Sequence, residues 1–412
     1  MRPKTRSLLT FLTMLVLAAC ATQPTPSPVK LPPQAAFSDA ALPAPPELQP
    51  QIAFWRQVYS AWGRHQVALH DDRHLDIVYG VLTLPGSIGE SQTAEQKDFV
   101  KGHLDNLREL LRQVEYKTAA NAPLAPAEQA LANHIKASSG GHGALFGASD
   151  RLRSQRGMRE RFKRGLEISG RYDAVFRGVF REAGLPEDLA YLPHVESSFQ
   201  NHAASSAGAV GMWQFMPGTA RHFGMLNAAV DERRDPVAAA QGAARYLRGA
   251  HDSLQAWPLA LTSYNHGVGG MKRARDAYGT DFAAIVRSYS GPGFGFASRN
   301  FYAEFLAARD IARNPQRYFP EGVRFEQPLN LDRVRLRQAV SAPTLAGYYE
   351  VNSWELSGLN NAWSSAAQQG RIPLPAGTLV WLPAGTIDRL VQRGTADQAL
   401  ALAETVTTGR LR

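Results

Sequence analysis

The sequence predicts a mainly α protein, with a helical N-terminal region, a larger central domain and a small βααβ module near the C-terminus. Three observations lead there. Apolar residues recur at helical spacing in separate stretches: Phe54, Trp55, Val58, Tyr59 and Trp62; Ala127 to Ile135; and Phe162, Leu166, Ile168, Phe176, Val179 and Phe180. Glycine and proline punctuate them, at Gly184-Leu185-Pro186 for instance. Residues 326–390 place two strand-like runs around two short helical ones. At 412 residues and 44% hydrophobic content the chain can bury a large core divided over two or three domains.

The elements follow in order. Arg2, Lys4 and Arg6 precede an apolar run from Leu8 to Leu17, too short to span a bilayer, and small residues follow it, which is the pattern of a signal peptide over residues 1–19. Leu17-Ala18-Ala19-Cys20 resembles a bacterial lipobox. The resemblance implies cleavage before Cys20, acylation of its sulfur and amino group, and a stable membrane anchor. Ala21, where aspartate would mark the inner membrane, implies an outer-membrane lipoprotein facing the periplasm of a Gram-negative envelope. Cys20 is the only cysteine, so no disulfide forms within one chain. Residues 20–50, with Gln23-Pro24-Thr25-Pro26-Ser27-Pro28 and Pro43-Ala44-Pro45-Pro46, read as an extended tether.

Residues 51–150 read as a helical N-terminal region. Leu75 to Leu84 interrupts it as either a strand or a buried helix, which periodicity alone does not decide. Ser138 to Gly147 reads as a loose linker. Residues 151–320 follow as the central domain. Arg159 to Glu182 is helical and stops at Gly184. Pro186, Glu187 and Asp188 suit the start of the next helix, which reaches Glu196. Asp235-Pro236 caps a helix from Pro236 to Leu247.

Glu196 is the first candidate for chemistry. It follows Leu189-Ala190-Tyr191-Leu192-Pro193 and should lie near a helix C-terminus, where partial desolvation and the negative end of the dipole keep a carboxyl protonated. Pro193 is a candidate kink in that helix. A protonated carboxyl near neutral pH is what cleavage of a glycosidic bond demands. Taken alone, a helix-end glutamate making a local hydrogen bond explains the residue equally well. Its surroundings add information: Glu196-Ser197, a serine nine residues on at Ser205, Gly211-Met212-Trp213-Gln214, and Ser263-Tyr264-Asn265.

These four motifs, in this order, resemble the lytic transglycosylase domain of goose-type lysozyme-like enzymes. With Gln155-Arg156-Gly157, Asp231 to Pro236 and Phe294 to Tyr302, the resemblance is to the membrane-bound lytic murein transglycosylase D family, over residues 150–320. It implies a lysozyme-like α+β catalytic domain acting on peptidoglycan glycan strands, with Glu196 as catalytic acid and then base. The acetamido group of the substrate would replace a second carboxylate, and the product would be a 1,6-anhydro end. It implies substrate contacts for Ser205, Gln214, Tyr264 and Asn265, with Tyr264 also bonding Glu196. Read without it, these four are a turn serine, a helix-start amide, a core tyrosine and a cap. Ser197 reads as structural. Ser263 stands where relatives often carry alanine, Met212-Trp213 where Leu-Met is common, and Trp213 reads as core. Were the reaction hydrolytic, Asp231, Glu232 and Asp235 are the candidates for a second carboxylate.

Residues 326–390 resemble a divergent lysin motif (LysM) module, a fold that binds N-acetylglucosamine-containing glycans. Thr344-Leu345 would start its first helix, Leu359-Asn360 end its second and Gly377 to Pro383 form its closing strand. Ser341-Ala342-Pro343-Thr344-Leu345 stands in place of the usual Gly-Asp-Thr-Leu. Residues 391–412 read as a tail.

The formal charge is +9, falling to about +6 without residues 1–19. A basic exported chain suits anionic partners, and charge alone does not choose among phospholipid, nucleic acid and cell wall; the resemblance selects the wall, with no nucleic acid. Arg151 to Arg181 holds ten basic and three acidic residues, either an anionic-polymer contact or a solvated helix face. His194, His202, His222 and His266 match no ligand spacing, so neither metal nor cofactor is expected. Gly267-Val268-Gly269-Gly270 lacks the context of a phosphate loop and reads as a turn. Two rivals accompany the leading expectation: a catalytically silent wall-binding lipoprotein and a water-adding lysozyme. The sequence points to no protein partner.

Overall fold

The computed structural model describes residues 41–395 and 401–406. The signal segment, Cys20 and the first part of the tether lie outside these residues. The rest of the tether does not match the expectation. Leu42, Ala44 and Leu48 are buried in the main core, Tyr302 donates a hydrogen bond to the Pro43 carbonyl at 2.8 Å, and Arg309 donates to that of Leu42 at 3.4 Å. Residues 41–48 are therefore packed, because alternate residues of the Pro-rich run are apolar and find a surface.

Helix α1 (Gln49–Ser60) buries Ile52, Phe54, Trp55, Val58 and Tyr59. Strands β1 (Gln66–Asp71) and β2 (Val78–Thr83) follow, then α2 (Ala94–Ala119) and α3 (Pro126–Lys136), and β3 (Leu152–Arg156). The strands form one antiparallel sheet in the order β2-β1-β3, with Val67 opposite both Leu82 and Arg156. Val67 and Leu69 face a separate core built with Leu107, Leu111, Val114, Leu131 and Ile135, while Ala68 faces the main core. So Leu75 to Leu84 contains a strand, and β1 is a second strand inside the region expected to be helical. β3 joins β1 across residue 150, and Leu152–Arg156 is an edge strand and not a helix face. The segment read as a loose linker holds the buried Ala144 and Leu145 in a short 3-10 turn.

The central body contains α4 (Arg159–Ser169), α5 (Asp173–Glu182), α6 (Leu192–Glu196) and α7 (Pro217–His222), then α8 (Pro236–Leu254), α9 (Trp257–His266), α10 (Val268–Tyr278), α11 (Phe282–Ser288), α12 (Phe296–Arg313) and α13 (Pro315–Tyr318). The pattern from Arg159 to Glu182 is thus two helices. Gly184 ends the second at φ +63°, as its position predicts. Gly267 alone makes the turn between α9 and α10, and the glycines after it begin α10. α12 is the central strut: α1, α6 and α9 all pack on it, and Phe301, Tyr302, Phe305, Leu306 and Ile311 are buried along it.

Every cation of the basic stretch is engaged locally. Arg151 pairs with Asp71, and Arg159 and Lys163 with Glu321. Arg164 and Arg171 meet Glu326, Arg177 meets Asp173 and Asp188, and Arg181 meets Glu187. Arg156 and Arg161 donate to carbonyls, and Arg153 lies over the Phe296 ring. These contacts tie the stretch into the fold.

The C-terminal unit comprises β4 (Leu331–Leu336), α14 (Ala342–Tyr349), α15 (Ser353–Leu359), α16 (Ser365–Gln368), β5 (Leu379–Pro383), α17 (Thr386–Arg393) and β6 (Ala403–Thr405), with antiparallel order β5-β4-β6. Its first helix starts before Thr344, because the Ser341 hydroxyl caps the Thr344 amide at 3.2 Å and Pro343 is tolerated in a first turn. The expected tail supplies the end of α17 and the third strand.

This unit is docked on the central body. The Asp231 amide donates to the Ala362 carbonyl at 2.7 Å, the Ser364 amide to that of Ala229 at 2.8 Å, and Ala229 and Val230 join its core. Asp235 caps α8 through the Val237 and Ala238 amides, as expected, while its Oδ2 accepts from buried Trp381 Nε1 at 2.6 Å. Asp235→Ala is expected to cost about 1–3 kcal/mol and to speed amide exchange in β4 and β5, read by hydrogen–deuterium exchange.

Candidate active site

Glu196 is the last residue of α6, and the chain turns sharply after it: Ser198 and Phe199 take positive φ values of +53° and +58°. Pro193 lies in the first turn of this short helix, where its missing N–H costs nothing. Its carbonyl accepts from the Ser197 and Phe199 amides, both at 3.1 Å. The Ser197 hydroxyl donates to the Met212 carbonyl at 2.9 Å, which ties the glutamate's turn to the following loop. Ser197 is a structural clasp.

That loop, residues 203–215, is held from inside. The Gly211 amide donates to the Ala203 carbonyl at 2.9 Å, and Gln214 Nε2 donates to the carbonyls of Gly211 and Ala203 at 2.8 and 3.2 Å. Gly211 has φ +82°, and a Cβ there would sit 1.9 Å from the Arg233 carbonyl oxygen, so only glycine fits. Ser205 is exposed, and its Oγ accepts from the Ala209 amide at 3.0 Å. Trp213 is fully buried between Phe176 and Phe180.

Tyr264 departs from its expected bond. Its hydroxyl donates to the Trp213 carbonyl at 2.8 Å and not to Glu196, because a buried loop carbonyl needs a donor. The two residues still interact electrostatically: burial raises the Tyr264 hydroxyl well above its usual range, and the Glu196 charge adds to this. Exposed Asn265 accepts from the Ser298 hydroxyl at 2.8 Å, which orients its amide.

The Glu196 carboxyl is pushed up to about 8, first by desolvation and then by a second carboxylate, Glu304. The sequence predicts desolvation with a helix dipole; the second cause is the Glu304 carboxyl on α12. Glu304 is itself raised to about 8 by burial, with a Tyr59 hydrogen bond opposing the shift. Tyr59 donates to Glu304 Oε2 at 3.2 Å and stacks on Phe162 with ring centroids 4.7 Å apart. His194, stacked in turn on Phe162, is depressed to about 3 by burial and is neutral. Sequence reasoning missed Glu304 and Tyr59. The available signal was one acid inside the apolar run Phe301-Tyr302-Ala303-Glu304-Phe305-Leu306. The acids expected for a hydrolytic role are used elsewhere: Asp231 pairs with Arg233 at 2.8 Å and Asp235 caps α8. Glu232 is raised by burial and then by Asp235, its neighbour in that cluster.

The site is thus a short helix presenting one desolvated carboxyl, clasped to a glycine-dependent loop within a helical body. Residues 179–284 match the Transglycosylase SLT domain family. The chain is similar to membrane-bound lytic murein transglycosylase D of Escherichia coli strain K12, 30% identical over 226 residues, covering 52% of this chain and 48% of the relative. Membrane-bound lytic murein transglycosylase F of Stutzerimonas stutzeri is 34% identical over 114 residues, 26% of this chain and 22% of the relative. The chain thus spans about half the length, or less, of these curated relatives. Among solved structures, the 70 kDa soluble lytic transglycosylase of E. coli aligns at 18% identity and TM-score 0.32, covering 53% of this chain and 37% of that one. No helix of the described residues is long and apolar enough to cross a membrane.

Proposed function

We propose that this protein is a lytic transglycosylase of peptidoglycan, acting in cell-wall remodelling or turnover. The observation that carries the reading is Glu196: a carboxyl raised to about 8 within the stretch that matches the Transglycosylase SLT domain. Protonated Glu196 gives its proton to the oxygen linking N-acetylmuramic acid to N-acetylglucosamine, and the C1–O bond breaks. The acetamido oxygen of the substrate closes onto C1. The muramic C6 hydroxyl then displaces it, Glu196 takes the hydroxyl proton, and a 1,6-anhydro ring results with no water consumed. Ser205, Gln214 and Asn265 bind the sugar amides, and Tyr264 holds the loop that carries Gln214. No metal or cofactor takes part.

Lipidation at Cys20 would hold the chain at the outer membrane with its body in the periplasm. The C-terminal unit is read as a LysM-like glycan-binding module; its exposed Trp354 and Tyr348 offer aromatic faces to a sugar.

The test is mass analysis of fragments released from purified murein. Products about 18 Da lighter than hydrolytic ones are expected, since one water is absent per cut. Hydrated ends would make the protein a lysozyme, and murein retention without release would make it a binding protein. The pH dependence has a definite sign. Glu196 must carry a proton to start the reaction, so kcat/KM is expected to fall as pH rises through about 8. A profile already declining at pH 5 would contradict the assignment.

A further inference from the structure

Tyr264 ties the end of α9 to the loop of Gln214 through the Trp213 carbonyl, and the next residue, Asn265, is exposed. An exposed carboxamide turns over easily, and its two ends have opposite hydrogen-bonding sense: Oδ1 accepts and Nδ2 donates. A site that tells a carbonyl from an N–H in its substrate has to fix that turn. Two further side chains converge on it here. Buried Ser298, near the start of α12, donates its hydroxyl to Asn265 Oδ1 at 2.8 Å, and His266 Nδ1 stands 3.3 Å from the same hydroxyl oxygen.

The imidazole is seated for this contact. Phe294 meets it edge-on, with ring centroids 5.2 Å apart. Gly270, in the first turn of α10, makes room for it, since a Cβ there would stand 2.5 Å from Nε2. The serine has one hydroxyl hydrogen to give. Spent on Asn265 Oδ1, it leaves Ser298 Oγ an acceptor toward the ring, so Nδ1 carries the imidazole proton. Nε2 is buried without a hydrogen-bond partner; a proton placed there would be an orphaned donor, whereas a bare nitrogen only forgoes an acceptor bond.

We propose that His266 and Ser298 are positioning residues for Asn265: a relay from His266 Nδ1–H through the Ser298 hydroxyl to Asn265 Oδ1 holds the amide with its N–H groups toward the glycan, where they take an N-acetyl carbonyl oxygen. The proposal rests on the reading of the cleft as a peptidoglycan site. Both residues act through the amide and not on the substrate. The carbonyl so held belongs to a sugar other than the reacting one, because a donor on the reacting acetamido oxygen would weaken its attack on C1.

The experiment measures binding of chitopentaose, a soluble N-acetylglucosamine pentamer, by calorimetry on the full chain carrying Glu196→Gln, which prevents turnover. Adding Ser298→Ala is expected to raise Kd roughly fivefold, the worth of one ordered hydrogen bond, and Ser298→Thr to keep most of the affinity. In an Asn265→Ala background neither Ser298→Ala nor His266→Phe should weaken binding further, since nothing is left to position. Equal losses in both backgrounds would show a merely structural role and overturn the proposal. The imidazole 15N spectrum of the unsubstituted chain decides the relay even where a variant does not fold. The His266 signals, assigned through their own side-chain and backbone couplings, are expected to show a protonated Nδ1 and a bare Nε2. A proton on Nε2, drawn to the nearby Gly293 backbone, would run the relay backwards with Asn265 Oδ1 facing the glycan, and refutes it. A Glu196→Gln chain that binds no pentamer would sink the glycan reading, while the 15N spectrum still decides this one.

Discussion

Glu196→Gln is expected to lower murein release on the order of 10³-fold, a general acid contributing roughly 10²–10⁴-fold. Neither His194 nor Tyr264 replaces it. His194 carries no proton to give at neutral pH, and Tyr264 holds its own too tightly. The same substitution is expected to raise Tm at pH 8. In the folded chain the carboxyl lies at about 8 against an ordinary 4.5. Its contribution to stability is full below about 4.5 and is lost as pH rises through about 8. Glutamine fills the same space without that loss. Thermal melts at pH 5 and pH 8 read the crossover, and a variant that melts earlier at both pH values would show that the glutamate is held by unrecognised contacts.

The second large effect is on the fold. Trp213→Ala is expected to cost roughly 3–5 kcal/mol in denaturant unfolding. The indole is fully buried, stands 5.1 Å from Phe176 and 5.8 Å from Phe180 between ring centroids, and donates to the Pro236 carbonyl at 3.1 Å. Its own carbonyl receives the Tyr264 hydroxyl. Collapse of this position therefore loosens the loop bearing Gln214, and murein release should fall further than the folded fraction does. A cost below about 1 kcal/mol would show that the loop does not depend on this anchor.

The parts of the site legible in the sequence are those set by local chemistry. Gly184 ends a helix because glycine enters the left-handed region freely, Asp235 caps because Pro236 follows it, and Glu196 stands beside its own motif. The parts that escaped depend on distant chain. Glu304 and Tyr59 reach Glu196 only because α12 and α1 pack together, and no local pattern records that. β1 is buried along nearly its whole length, so it lacks the polar alternation that marks a half-exposed strand. The cations of residues 151–181 find acids at Glu321 and Glu326, beyond the end of the domain's helices. β6 is three residues long, too short to register as a strand before it pairs with β4.

The docking of the C-terminal unit bears on how a long polymer would be handled. A domain on a loose leash raises the local concentration of its target and leaves the point of attack open. Here the connecting segment is laced to α4, the Glu326 amide donating to the Glu167 carbonyl at 2.8 Å and the Leu329 amide to that of Arg171 at 3.3 Å, and Trp381 is bonded to Asp235. The separation between Trp354 and Glu196 is set by the fold. On the proposed reading of the C-terminal unit as glycan-binding, a strand gripped at its outer surface would present its linkages to the acid at one fixed spacing, and the joint would work as a ruler along the glycan.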